Sequence, residues 1–368
     1  MRGTSIAPVT PENGGWLMKG VKVWKSGRRI NNWTYLTIGE ETGAAIKAAV
    51  GGFAKFLNNN MGVAMNGQPA PANGHGSGRS DEELHNAFLK ISKQTPRPEF
   101  VLVLLPDKEA TRYNTIKKLG DVDFGLTTVC VRQEMLLKVQ GQAGYFANVG
   151  LKVNLKFGGI NHKVNDDTGL VEKTMFVGYD VTHPTNLPGG AGDNAPSLVG
   201  MVASIDSSLA QWPAVTWANK PRVEQVGGKE DKGQFVQHFK DRLRLWQDNN
   251  GKRLPEYIVI FRDGVSEGQF NMVLKDELPN IRQACRETYP AGPTNAQPRI
   301  SLIVSVKRHQ TRFYPTDRDH IHPRSKSPKE GTIVDRGVTN VRYWDFFLQA
   351  HASLQGKPSS LSIFQATH

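Results

Sequence analysis

The sequence predicts an α/β protein with two domains in tandem, and three observations carry that expectation. The chain has 368 residues, more than the roughly 100–200 of a single typical domain. Its first half holds two apolar runs, Phe100–Leu105 and Leu126–Val131, separated by a helix-like segment. That alternation marks a Rossmann-like sheet whose strands are buried on both faces. After Gly158-Gly159 the pattern returns in another form, with two apolar strands that each end in an acid, Met175–Asp180 and Tyr257–Asp263.

The elements follow in order. An irregular, strand-like opening carries Trp16, Val21, Val23, Trp24, Trp33, Tyr35 and Ile38 among glycines; its tryptophans are most simply packing residues. Residues 40–59 read as a helix, because Ile46, Val50, Phe53 and Leu57 recur at helical spacing. Residues 66–80 are rich in Gly, Pro, Ser and Asn without period, which predicts a flexible loop. Ser80 then caps a helix reaching about Lys93, with Asp81, Glu82 and Glu83 at the positive end of its dipole. Strand Phe100–Leu105, helix Ala110–Leu119 and strand Leu126–Val131 complete the first domain. The boundary falls near residues 157–173, giving 1–160 and 161–368. In the second domain, strands are expected at Met175–Asp180, Ser197–Ser204, Ala214–Trp217, Tyr257–Phe261 and Ile300–Val306. Helices are expected at Gln234–Gln247, striped by Phe235, Phe239, Leu243 and Trp246, and at Gly268–Arg286.

Composition narrows the class. Charged residues make up 22% and the hydrophobic group 38%, a globular balance that excludes a wholly disordered chain. The aliphatic run at 101–105 is far short of the ~20 residues of a membrane span, so no membrane partner is expected. No secretory signal is visible at the start, and two cysteines cannot build a disulfide framework or a cysteine metal site. A reducing, cytoplasmic address fits these features. Lys and Arg number 46 against 34 Asp and Glu, a net charge of +12, which favours a polyanionic partner.

Chemistry concentrates at Asp180, at Asp263 and at His351, which ends the apolar stretch 343–350. Acids at the carboxyl ends of neighbouring strands can converge, and converging carboxylates repel unless a divalent cation lies between them. Each acid alone could equally begin a turn.

Longer strings decide between these readings. Tyr179-Asp-Val-Thr-His-Pro184 and Phe261-Arg-Asp-Gly-Val-Ser-Glu-Gly-Gln-Phe270 resemble the two most characteristic blocks of eukaryotic Argonaute PIWI domains, here of fungal type. Three further blocks follow in the same order: Lys307–Phe313, Gly331–Asp335 and Asp345–His351. The resemblance implies an RNase H-like domain that cleaves RNA under the direction of a small guide RNA, with Mg²⁺ or Mn²⁺ as cofactor. It assigns Asp180, Asp263 and His351 as metal-binding catalytic residues. The family's fourth residue, a glutamate on a mobile loop, falls on Glu230 when the helix stripe is aligned. Asp231 is its near rival, and Lys229–Lys232 could also be a plain solvated charge run.

The first half resembles the family's MID domain, which anchors the guide 5′-phosphate. Tyr113-Asn-Thr-Ile-Lys117 and Leu151–Gly159 carry that likeness, so Tyr113, Lys117, Lys152 and Lys156 are assigned to the phosphate. Tyr113 and Lys117 are four apart on one helix face, placing a ring to stack on a base beside a lysine. Lys152 and Lys156 alternate with apolar residues as on one strand face. Where many relatives have a glutamine, this chain has Val129, and Thr128 is expected to substitute. The loop Pro106–Arg112 takes the place where the family senses the first guide base. Lys307, Arg308 and Arg312 are assigned to the nucleic-acid backbone. Within the 320–329 region, His320 and His322 read as part of a basic loop rather than a metal pair.

The resemblance implies a monomeric MID–PIWI fragment. Its expected partners are a 5′-phosphorylated guide RNA and a complementary target RNA. The tail Leu361–His368 finds no counterpart.

Overall fold

The computed structural model describes residues 8–12, 15, 16, 18, 20–39, 43–70, 80–165, 168–184, 195–229, 231–291, 297–307, 309–323, 325–340 and 344–351, and the backbone of 361–365. The expected loop therefore lies outside the described residues at 71–79. The chain forms two compact units, the first mainly Trp16–Lys163 and the second mainly Val164–His368. Among the described residues, no helix is long and apolar enough to cross a membrane.

In the first unit the elements are β1 (Trp33–Thr37), α1 (Ala44–Phe56), α2 (Asp81–Ser92), β2 (Phe100–Leu105), α3 (Ala110–Lys118), β3 (Thr127–Arg132), α4 (Gln133–Leu137) and α5 (Gln142–Lys156). The three strands form a parallel sheet in the order β1-β2-β3. Every residue of β2 is buried, because helices cover both faces. Phe100, Leu102 and Leu104 pack with Val50 and Phe53 of α1 and with Phe146 and Val153 of α5. Val101, Val103 and Leu105 pack with Leu84 and Phe88 of α2 and with Ile116 of α3. Alternation along one strand thus feeds two cores. Ser80 caps α2 as expected, accepting a hydrogen bond from the Glu83 N–H at 3.2 Å.

Two local expectations are corrected. Among the described residues, the opening is strand only at Trp33–Thr37; Trp33 is fully buried, whereas Trp16 and Trp24 are exposed. Lys152 and Lys156 lie on helix α5, not on a strand. Their four-residue spacing is common to one helix face and one strand face. The apolar positions Phe146, Val149, Val153 and Phe157 settle it, since they recur at helical spacing and all are buried.

The second unit contains β4 (Thr174–Thr182), β5 (Ser197–Ala203), β6 (Ala214–Asn219), α6 (Lys232–Asn249), β7 (Tyr257–Asp263), α7 (Phe270–Met272), α8 (Leu278–Thr288), β8 (Arg299–Val306), β9 (Ile333–Val334), β10 (Trp344–Leu348) and β11 (Leu361–Gln365). A π-helical turn, Val273–Glu277, joins α7 to α8, so the single helix expected at 268–286 is interrupted. The strands make one sheet in the order β6-β5-β4-β7-β8-β11-β10-β9. An antiparallel meander β4-β5-β6 continues into β7 and β8, both parallel to β4. This mixed α/β arrangement is RNase H-like. The tail left unaligned in the sequence enters the sheet as β11, antiparallel to both β8 and β10. One face of the sheet packs on Phe235, Phe239, Leu243 and Trp246 of α6 and Leu278 and Ile281 of α8. The other presents Asp180, Thr182, Leu198 and Phe261 as exposed side chains.

Candidate functional site

Asp180 and Asp263 sit at the carboxyl ends of adjacent parallel strands. Tyr179 pairs in register with Arg262, so the next residue of each strand is an aspartate. Tyr179 and Arg262 face the helices and are buried; strand alternation turns both aspartates to the opposite face. Neighbouring strands are about 4.8 Å apart. Two carboxylates from distant sequence positions therefore share one edge.

Glu224 completes this edge, and sequence reasoning missed it. It lies in the loop between β6 and α6, its side chain 14% exposed. Gly264, with φ +89°, is bordered by oxygens of both Glu224 and Asp180. A Cβ there would meet Asp180 Oδ1 at 2.8 Å and Glu224 Oε1 at 3.0 Å. Only glycine leaves this space to the oxygens. Glu224 is held from two sides. Arg262 Nη1 donates to its Oε1 at 2.8 Å and Nη2 to its backbone carbonyl at 2.7 Å. His183 Nε2 meets its Oε2 at 2.9 Å, while His183 Nδ1 meets the buried Ser197 hydroxyl at 2.8 Å.

Behind Glu224 is a fully buried ion pair. Arg262 and Glu277 are both 0% exposed. The Glu277 carboxylate accepts from Arg262 Nε at 3.0 Å, Arg262 Nη2 at 3.1 Å, the Val226 N–H at 2.9 Å and the Tyr179 hydroxyl at 2.7 Å. Burial works against the charged guanidinium, but Glu277, Tyr179 and Glu224 together hold the Arg262 pKa above its usual value. The Tyr179 phenol is pushed well up by burial and by Glu277. No single short motif carries this network, because its members come from four separate segments.

The other expected catalytic residues are placed as follows. Glu230 lies outside the described residues. Asp231 is 5% exposed and accepts from the Gly227 N–H at 2.9 Å and Trp217 Nε1 at 3.3 Å; it fixes the start of α6 rather than facing the aspartates. His351 is exposed and follows β10. Because β10 is parallel to β8, His351 falls on the same edge of the sheet as the aspartates. It is three strands from β7, roughly 14 Å at sheet spacing, so the structure does not join it to the pair. Among the described residues, no three His, Cys, Asp or Glu side chains gather as a metal cage. Two adjacent carboxylates with Glu224 close by still suit a hard cation, since Mg²⁺ is commonly bound through one or two carboxylates plus substrate phosphates.

Lys307, expected on the nucleic-acid backbone, pairs with Asp263 Oδ2 at 2.5 Å. Arg308 lies outside the described residues. Arg312 donates to the carbonyls of His309 at 2.7 Å and Thr311 at 2.8 Å, bracing its own loop. His322 is likewise a loop residue: 5% exposed, it accepts at Nδ1 from the Ser325 N–H at 3.1 Å.

In the first unit, Tyr113 and Lys117 share one face of α3, with Lys117 Nζ 5.8 Å from the Tyr113 ring centre. Lys117 donates to the Thr128 carbonyl at 3.0 Å and hydroxyl at 2.8 Å. Thr128 is fully buried, so it positions Lys117 instead of facing a ligand. Burial lowers the Lys117 pKa, and the fields of Lys156 and Lys152 lower it further, against Cys130 and Asp121. Three ammonium groups are thus gathered beside an aromatic ring that is 42% exposed. Cys130 was also missed; it is half-buried on the Thr128 side of β3, near Lys117 and Lys156. Val129 points the other way, into the core with Phe100 and Phe157. In the loop at 106–112, Arg112 bridges Asp107 at 2.6 Å and Glu109 at 2.7 Å. The Glu109 N–H and Arg112 hold the Asp107 carboxyl below its usual value.

These arrangements agree with known proteins. Residues 100–364 match the Piwi domain. The chain is 30% identical over 376 residues to Protein argonaute 5 of Arabidopsis thaliana, covering 95% of this chain and 35% of that protein. It therefore spans about a third of that relative's length. It is similar to the solved N. crassa QDE-2 AGO MID-PIWI domains at 46% identity and a TM-score of 0.66, over 77% of this chain and 76% of that one. Kluyveromyces polysporus Argonaute, solved with a guide RNA, matches at 25% identity and a TM-score of 0.76, over 95% of this chain and 43% of that one. With its two units, its RNase H-like sheet and the Piwi match over most of its length, the chain belongs to the Piwi-domain family of Argonaute proteins.

Proposed function

We propose that this chain is a small-RNA-guided silencing protein, of fungal type, that anchors a guide 5′-phosphate in its first unit and cleaves complementary target RNA at its second. In this reading residues 1–160 are the MID domain and 161–368 the PIWI domain, and the protein acts as a cytoplasmic monomer. The observation that carries the proposal is the Asp180–Asp263 edge with Glu224 held against it by Arg262 and His183.

Asp180 and Asp263 would hold Mg²⁺ or Mn²⁺, which when bound activates water and stabilises the leaving oxygen of a phosphodiester. The chain's own residues supply the remaining conditions. Arg262, itself held by Glu277, fixes the backbone and one oxygen of Glu224, whose carboxylate borders the space at Gly264 that Asp180 also borders. Glu224 would accept a proton from an attacking water that came within hydrogen-bond reach. Cleavage would leave a 3′-hydroxyl and a 5′-phosphate. At the other site, Lys117, Lys152 and Lys156 offer three charges to a phosphate, and Tyr113 offers a face to the first base.

Asp180→Ala tests the enzyme reading. It should abolish Mg²⁺-dependent cutting of a guide-complementary strand while preserving the preference for 5′-phosphorylated over 5′-hydroxyl RNA at fixed salt. Cleavage at the unsubstituted rate would refute it. A second reading, a guide-binding module that does not cut, is favoured by one observation: His351 stands apart from the two aspartates. Phosphate-dependent binding with no cleavage in Mg²⁺ or Mn²⁺ would select it.

A further inference from the structure

Two carboxylates side by side on adjacent strands repel each other, and the fold must answer that repulsion. The answer comes from β8. Asp263 is paired in register with Ser305; Lys307, two residues on, points along the same side and reaches Asp263 Oδ2. The other oxygen, Asp263 Oδ1, accepts from the Gly264 N–H at 3.0 Å. Asp180 is also near enough for its charge to act on the Lys307 ammonium. The neighbouring guanidinium of Arg262 is committed to Glu277 and Glu224 and reaches only the Asp263 carbonyl. The two ends of the Lys307–Asp263 pair differ in exposure, 67% for the lysine and 31% for the aspartate. An ion pair this open is weak and exchanges readily.

Building on the proposed cleavage function, we propose that Lys307 is the resident counter-ion of the Asp180–Asp263 edge: a divalent cation must displace it from Asp263, and an arriving RNA phosphate draws it away. Cation binding and RNA binding then favour each other through one side chain, because each removes Lys307 from the position that opposes the other. The charge of Lys307 acts twice against a cation, by occupying Asp263 Oδ2 and by direct repulsion.

The test is Mn²⁺ binding to the whole chain, read by electron paramagnetic resonance without RNA. Four proteins are compared: unsubstituted, Lys307→Gln, Lys307→Arg and Asp263→Asn. Lys307→Gln should bind Mn²⁺ at least about threefold more tightly, and Lys307→Arg should stay near the unsubstituted value. A guide paired to a target with a non-hydrolysable linkage should tighten Mn²⁺ binding to the unsubstituted protein, and less so for Lys307→Gln. Equal or weaker Mn²⁺ binding by Lys307→Gln, with Asp263→Asn still impaired, would overturn the counter-ion role and leave the carboxylate site standing. Mn²⁺ binding unaffected by Asp263→Asn would overturn the site and the counter-ion together.

Discussion

Glu277→Gln removes one charge from the most enclosed part of the second unit. The native carboxylate accepts four hydrogen bonds, two of them from Arg262, and neither partner is exposed. A glutamine keeps one acceptor oxygen but sets an NH₂ group against Arg262 Nε or the Val226 N–H. The Tyr179 hydroxyl can turn to accept; the arginine cannot. Removing the fully buried counter-charge leaves the guanidinium with Glu224 alone, at a cost of up to about 3–5 kcal/mol. For a unit of this size, each kcal/mol lowers the melting temperature by about 2–4 °C, so a fall of up to about 6–20 °C is expected. Urea unfolding measures the loss, and amide exchange along β4 and β7 reports on the second unit separately from the first. Replacing both partners, Arg262→Met with Glu277→Leu, should cost less than Glu277→Gln alone, because no buried charge is orphaned. That double variant should still cleave poorly, since Glu224 loses its clamp. A loss below about 1 kcal/mol for Glu277→Gln would refute the claim that this pair holds the edge together.

Glu224→Gln should slow cleavage by about 100-fold or more without changing guide affinity, whereas Asp231→Asn should lower stability by about 1–3 kcal/mol and leave the rate of folded protein unchanged; single-turnover kinetics beside melting curves separate the two. Burial, then Lys156 and Lys152, lower the Lys117 pKa, and an anionic ligand needs the charged form. Affinity for 5′-phosphorylated RNA should therefore decline as pH rises through that lowered value, at a pH where an ordinary lysine is still charged. The free protein should gain stability over the same interval, because the unfolded chain holds the proton longer. A binding profile flat to pH 10 at constant ionic strength would contradict this. Of the two thiols, burial pushes Cys285 up to about 12, so maleimide should modify the half-buried Cys130 first, and 5′-phosphorylated RNA should slow that reaction; mass spectrometry of the labelled peptides decides.

How much of the site was legible differs from residue to residue. Asp180 lies near the end of an apolar strand and Asp263 at the end of another, each inside a long distinctive string, and parallel pairing did the rest. Tyr113 and Lys117 are four apart in a helix, so proximity followed from spacing. Glu224 left no such trace. It sits in a loop without period, and its role depends on Arg262, His183 and Gly264, which reach it only through folding. Aligning a helix stripe pointed to Glu230, which lies outside the described residues. Lys152 and Lys156 were assigned to one face correctly and to the wrong element, because a spacing of four satisfies both geometries.

By itself, the sequence determined the alternation of strands and helices, the two acidic strand ends and the basic character of the chain. Those properties are written in nearest neighbours and short periods, where apolar side chains must find a core. Tertiary structure alone decided that β11 fills the place between β8 and β10, setting His351 three strands from Asp263. It also decided that Glu224 and Asp180 border the same space at Gly264 and that Lys307 pairs with Asp263. Strand order and ion pairing are long-range choices, fixed by which surfaces and charges meet after collapse, and local pattern does not encode them.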